Sequence, residues 1–180
     1  MRLRSFFIAS LIVLSSCQEK NTSELILNEN FEGDALDKSV WNVVTGDGCP
    51  DLCGWGNNER QVYSKDHVDI KDNQLIITAD LQDSIYYSGR INTKSKFSFK
   101  YGSLEVKAKL PEGQGLWPAI WMLGNNIDEV GWPASGEIDV MEYVGKNPGE
   151  IHTSLHTPDS YGNTVNTKIT SKENIEEDFH

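Results

Sequence analysis

Long apolar runs are scarce in this 180-residue chain. The longest, Phe6 to Leu14, falls well short of the roughly 20 residues that a helix needs to cross a bilayer. Cysteine is nearly absent, with 3 residues, which excludes a disulfide-dense scaffold and a four-cysteine zinc centre. Basic residues are outnumbered, 16 against 27 acidic, for a formal net charge of −11. Such a surface repels nucleic acid, disfavours a polyanionic ligand such as a sulfated glycan, and suits neutral ones. Helix-period patterning is also scarce, and only Ser171 to Asp178 has a helix-like acidic composition. No repeat or low-complexity tract interrupts residues 25–180, and 38% hydrophobic with 24% charged residues fits one domain around one core.

The N-terminus is different in kind. Arg2 and Arg4 precede the apolar run, and Leu14-Ser15-Ser16-Cys17 follows the pattern of a bacterial lipobox. Residues 1–16 are therefore expected to be a cleaved signal, Cys17 the lipidated first residue, and residues 17–24 a polar tether. The protein is therefore expected in the bacterial cell envelope, lipid-anchored to the outer membrane or cell surface. Cleavage would remove two arginines and no acid, making the chain more acidic still. The other two cysteines, Cys49 and Cys53, can close a small-loop disulfide outside the cytoplasm or stay free, whereas a zinc site would need ligands beyond the nearby His67.

From residue 25 onward, Gly, Asn and Asp recur between short apolar or alternating runs, the punctuation of an all-β domain. Strands are expected at Leu25 to Phe31, Gln74 to Ala79, Gly89 to Thr93 and Ser103 to Leu110. The last alternates apolar and polar residues, as a half-buried strand does. The economical architecture is a β-sandwich of two antiparallel sheets. Such domains run to about 200–250 residues, and Asp178-Phe179-His180 reads as the entrance to another strand, so the chain is expected to lack C-terminal strands and, cut there, to have little activity.

The chemistry concentrates in Gly136-Glu137-Ile138-Asp139-Val140-Met141-Glu142-Tyr143-Val144. On a strand Glu137 and Asp139 share a face, and strict alternation puts Met141, not Glu142, beside them. A β-bulge near Val140-Met141 would return Glu142 to that face. Three converging carboxylates repel one another, so at least one is expected to hold a proton more tightly than an isolated acid. One carboxylate attacking an anomeric carbon while a protonated one serves the leaving oxygen is the arrangement that sugar cleavage needs. The competing reading is an acidic outer face of an amphipathic strand. Just upstream, Trp117, Trp121 and Trp132 are either sugar-stacking platforms or core aromatics, and the first two share a side whether their segment is strand or helix. His152 and His156 stand four apart, but Glu does not follow the first, so the zinc-protease pattern fails.

With these residues in view, the sequence resembles family 16 glycoside hydrolases, most closely the laminarinase-like endo-β-1,3-glucanases, over residues 27–180. The resemblance is carried by Gly54-Trp55-Gly56-Asn57-Asn58-Glu59, Ser88-Gly89-Arg90-Ile91 with Thr93-Lys94, Tyr101-Gly102 with Glu105, Gly115-Leu116-Trp117-Pro118-Ala119, Gly131-Trp132-Pro133 and the acidic strand. It implies a jelly-roll, concanavalin-like sandwich and the bulged form of the Glu-x-Asp-x-x-Glu signature. Glu137 would be the nucleophile, Asp139 its assistant and Glu142 the acid/base, with retention of configuration and no cofactor for the chemistry. It further implies that Asn57, Arg90, Trp117, Trp121 and Trp132 line a sugar cleft with His156 near it; the rival readings are a surface salt-bridge partner for Arg90 and a turn residue for Asn57. Glu29 and Gly33 match positions that hold a structural calcium in many members. A monomer acting on a β-1,3- or mixed-linked β-glucan is expected; a non-catalytic carbohydrate-binding sandwich, a transglycosylase, and agarase-like or carrageenase-like specificity are the alternatives.

Overall fold

The computed structural model describes residues 24–180; the signal of residues 1–16, Cys17 and nearly all of the tether lie outside the described residues. Among the described residues eleven strands form in chain order. The first seven are short: β1 (Asn42–Val44), β2 (Gln61–Tyr63), β3 (Val68–Lys71), β4 (Gln74–Ile77), β5 (Asp80–Gln82), β6 (Ile85–Ser88) and β7 (Arg90–Asn92). They pair as β1-β7, β2-β6-β5 and β3-β4, the β2-β6 contact being parallel and the rest antiparallel. Asp72 and Asn73, both at positive φ, turn β3 into β4, which suits residue types that tolerate the left-handed region.

The longer pieces follow. β8 (Ala119–Leu123), β9 (Glu137–Tyr143), β10 (Glu150–Thr157) and β11 (Ser160–Thr170) form one antiparallel sheet in the order β11-β10-β9-β8. The one α-helix among the described residues is the single turn α1 (Ile127–Val130) between β8 and β9. An all-β fold is therefore observed, with Gln74–Ile77 and Arg90–Asn92 close to where the punctuated apolar runs placed them.

Two expected strands are absent. Leu25 to Phe31 forms no strand, and Leu25 and Ile26 are largely exposed. Ser103 to Leu110 also lacks a strand: Ala108 exchanges backbone hydrogen bonds with His180 and the Leu110 N–H reaches the Ile175 carbonyl, while Leu104 and Val106 stay exposed. Alternation fixes which side of a segment is apolar, but a strand also needs a ladder partner along its length. Ser171 to Asp178 turns without forming a helix, held by Ser171 Oγ, which bonds the Glu173 carbonyl and accepts from its N–H. Such side-chain bonds compete with helix formation. Within that turn Ile175 is buried with Leu110 and Tyr143, and Ala108, Met141 and Ile151 pack around them.

Near this cluster the sheet also fixes the loop before β8. The Tyr143 N–H bonds the Pro118 carbonyl at 3.1 Å and the Gly145 N–H the Leu116 carbonyl at 2.9 Å, which pins Trp117 beside the end of β9. The approach is close enough that a Cβ on Gly145 would lie 2.0 Å from the Gly113 carbonyl oxygen. Gly145→Ala is expected to lower stability by roughly 1–3 kcal/mol through this overlap, read as a fall in Tm, and to displace Trp117. An unchanged Tm would show that the loop yields freely.

Candidate active site

Ladder register settles the geometry of β9. Ile120 pairs with Met141 but Trp121 pairs with Asp139, so Val140 has no partner on β8. On the other side His152 pairs with Glu142 and Ser154 with Asp139, leaving Met141 and Val140 opposite Thr153 alone. This is the bulge expected at Val140-Met141, and it brings Glu142 round to the face that carries Glu137 and Asp139.

Each carboxylate is met there by its own polar partner. Trp132 Nε1 donates to Glu137 Oε2 at 2.8 Å, and His156 Nε2 lies 2.9 Å from Asp139 Oδ2. Trp117 Nε1 donates to Glu142 Oε1 at 3.1 Å and Ser154 Oγ to Glu142 Oε2 at 3.3 Å. Three like charges on one sheet face would repel; hydrogen bonds to charged groups contribute about 1.5–3 kcal/mol each and offset that cost. Asp139 is the most enclosed of the three, at 4% exposure.

Burial is the largest influence on Glu137, and the neighbouring Asp139 charge and its hydrogen bond act the same way, pushing the Glu137 carboxyl up to about 7. His156 and the Trp132 donor pull in the opposite direction. The expected tight proton is thus found, although desolvation outweighs mutual repulsion as its cause. Ligand atoms of Glu137, Asp139 and His156 all fall within 4.8 Å of one another. Their pairing describes a hydrogen-bonded chain through which a proton can be shared.

The expected tryptophans form walls to this face. Trp117 and Trp132 are about half exposed, 52% and 49%, with their N–H groups tied to acids, so their rings face outward as platforms and are not core fillers. Trp132 also packs at 5.7 Å on His156 and edge-on to Tyr161 at 5.9 Å. Trp121, across from Asp139, carries the Arg90 guanidinium 4.9 Å from its ring centre. Arg90 lies at the same time 4.8 Å from Trp55 and 5.6 Å from Tyr63, a cation held among three aromatic rings. Each such contact contributes about 0.5–1 kcal/mol where water still reaches it. Arg90 is therefore not the surface ion-pair partner its sequence setting also allowed.

Asn57 is the outlier: it is exposed, its side chain reaches Glu59 at 3.4 Å, and its setting is that of a turn. His152, opposite Glu142 in the ladder, lies 4.0 Å from Glu150. Cys49 and Cys53 are disulfide-bonded, which closes the loop leading to Trp55. At the expected calcium positions, Glu29 accepts from the Phe31 N–H and from Trp41 Nε1, and Gly33 adopts φ 91° with nothing within 4 Å of a would-be Cβ. One carboxylate and one carbonyl fall short of the six to eight oxygens that calcium takes, so these residues alone do not form its site.

Sequence reasoning missed Ser154, Trp55, Tyr63, Tyr161 and Thr164. Ser154 was reachable, since it lies between His152 and His156 on one face of a strand. Burial and the neighbouring Glu59 push the Tyr63 hydroxyl up to about 12, so it stays a donor to Glu59. Tyr161 and Thr164 could not be placed, because β11 is irregular there: Leu155 pairs with Val165 but Thr157 pairs with Ser160.

Residues 56–180 match the profile described as glycosyl hydrolases family 16. The chain is 44% identical over 148 residues to glucan endo-1,3-beta-glucosidase A1 of Niallia circulans, covering 73% of this chain and 22% of that protein. It is 34% identical over 183 residues to a beta-glucanase of Rhodothermus marinus, covering 93% of this chain and 62% of that one. Among solved structures, the laminarinase from Flavobacterium sp. UMI-01 superposes with a TM-score of 0.83 at 50% identity, over 87% of this chain and 67% of that chain. The chain thus spans less than two thirds of the length of these two curated relatives.

The proton on Glu137 has a consequence for stability. Its folded affinity, about 7, exceeds the ordinary 4.5, so the favourable protonated carboxyl is fully present below pH 4.5, is lost as pH rises through 7, and contributes nothing above. Glu137→Gln should remove this loss, so the variant's Tm advantage over the parent should widen between those limits. A gap that stays constant with pH would reject the assignment.

Proposed function

The chain belongs to glycosyl hydrolase family 16, and from that premise we propose that it is a retaining endo-hydrolase of β-linked glucan, β-1,3- or mixed β-1,3/1,4-linked. The observation that carries this reading is the bulge, which holds Glu137, Asp139 and Glu142 on one tryptophan-walled face. The names of the two curated relatives, one for 1,3-β-glucan and one for β-glucan, support the substrate class.

The residues divide the work as follows. Glu137 attacks the anomeric carbon as a carboxylate, and Glu142 gives a proton to the departing glycosidic oxygen, leaving a glycosyl ester on Glu137. Glu142, now ionised, takes a proton from water as that water attacks the same carbon, which frees Glu137 and restores the original configuration. Asp139 accepts and returns the proton that Glu137 must shed to attack. Trp117, Trp121 and Trp132 offer rings against the apolar faces of the sugars. Two carboxyl groups suffice for these steps, with no cofactor, and calcium has no part in them.

The tight proton on Glu137 favours the reversed assignment, with Glu137 as acid and Glu142 as nucleophile. Its hydrogen bond with Asp139 argues against that order, because the proton has a second seat beside the attacking group. A 2-fluoro-glucoside with a good leaving group decides the point: mass spectrometry should find the trapped sugar on Glu137, and a label on Glu142 would reverse the roles. Glu137→Ala should release no reducing ends from laminarin. Glu142→Ala should lose about 10²–10⁴-fold of that activity yet keep the burst on an activated aryl glucoside. Reducing-end release by Glu137→Ala equal to the parent's would reject hydrolysis at this site.

We also propose, from residues 1–17 alone, that the mature protein is held in the bacterial envelope by lipid on Cys17. Radiolabelled palmitate should be incorporated by the parent and not by Cys17→Ser. Equal labelling of both would refute the anchor.

A further inference from the structure

His156 is itself held from behind. Its Nε2 faces Asp139 at 2.9 Å, and its Nδ1 lies 3.0 Å from Thr164 Oγ1. Thr164 stands on β11, where the ladder breaks: between the Leu155–Val165 and Thr157–Ser160 pairs, residues 161–164 all stand opposite His156 alone. Gly162 takes φ 74° in this stretch, a conformation that favours glycine. Ser160 Oγ, accepting from the Val165 N–H at 3.0 Å, ties its two ends. Irregular segments of this kind re-aim side chains beside functional sites, and this one brings Thr164 under His156 and Tyr161 against Trp132.

A threonine hydroxyl has one proton to give. It has two acceptors here, His156 Nδ1 at 3.0 Å and the Ser160 carbonyl at 3.3 Å, and the shorter contact is to the ring. Which ring nitrogen of a neutral histidine carries its proton is set by the bond that the other makes. Were Thr164 to donate to Nδ1, Nε2 would carry the hydrogen and donate to Asp139. The Asp139 oxygen that faces the ring is then an acceptor, so any proton on Asp139 stays on the side of Glu137. In the opposite tautomer Asp139 would give its proton to Nε2, and the attacking carboxylate would lose its donor.

We propose that Thr164 is a positioning residue: it holds His156 in the Nε2–H tautomer and so keeps the proton shared by Asp139 and Glu137 directed at the nucleophile. The catalytic consequence rests on the hydrolase reading above; the tautomer does not. The charged groups facing His156 from β9 are Asp139 and Glu137, with Glu142 beyond Ser154, and Arg90 lies behind Trp121. From β11 come Thr164 and Tyr161, while Lys168 on that strand pairs with Glu150 at 2.9 Å.

The test uses the full chain with Thr164→Val and Thr164→Ser. In ¹⁵N long-range correlation spectra of the parent, His156 should show protonated Nε2 and bare Nδ1 while the ring is neutral. Thr164→Val should move population to the Nδ1–H form and Thr164→Ser should not. On laminarin, Thr164→Val should lower kcat about tenfold, the order that one lost hydrogen bond supplies. KM should stay within about twofold, and the acid limb of kcat/KM should move upward, because an ionised Glu137 without its donor is less favoured. Thr164→Ser should restore all of these. The Nδ1–H tautomer in the parent, a Thr164→Val enzyme with the parent's kcat and acid limb, or a serine variant no better than valine would each overturn the proposal. If neither this chain nor its full-length reading frame releases anything from laminarin the hydrolase reading falls, and the ring spectra alone decide.

Discussion

Three carboxylates gathered on one face of one strand are an electrostatic cost, and much of the second half of the molecule can be understood as what keeps that cost tolerable. Each acid has a separate donor or ring partner, brought from a different place: Trp132 from the segment after α1, His156 and Ser154 from β10, Trp117 from the loop before β8. Local bonds to charged groups, at a few kcal/mol each, offset repulsion that solvent would otherwise have to screen. Remove the partners and the face would hold more protons, with fewer charges available to react.

Under the proposed hydrolase reading, the same donors double as the surface that sugar would meet. An indole whose N–H is fixed on a carboxylate cannot rotate freely, so its ring plane is set by the same bond that satisfies the acid. Arg90 fixes Trp121 differently, by stacking, and is backed by Trp55 at the end of the disulfide-closed loop. Aromatic orientation and acid placement are thereby coupled, which lowers the ordering cost at a binding step.

Much of the active face was legible in the sequence because it follows from counting. Two residues between Asp139 and Glu142 are incompatible with regular alternation on one face, so a bulge was required, and the ladder shows it at Val140-Met141. Even spacing likewise put His156 on the face of His152. What counting cannot deliver is contact across distant segments. Ser103 to Leu110 alternates well yet finds no ladder partner along its length, and Thr164 reaches His156 only because β11 departs from register, which no local pattern announces. Arg90 showed the same limit: a surface ion pair and an aromatic cage look alike until Trp55, Tyr63 and Trp121 arrive from separate parts of the chain.

The bulge in β9 also separates place in the chain from place in space. A residue absorbed without turning its neighbours over leaves the reactive face intact while shifting every later position by one. Two strands of this type, one bulged and one regular, would present the same acids in the same direction with different lengths between them. Position-by-position alignment without a one-residue gap would set Met141 of this chain against a reactive glutamate of the other. Correspondence between such strands has to be judged by which side chains share a face, with the gap placed where the ladder skips, at Val140.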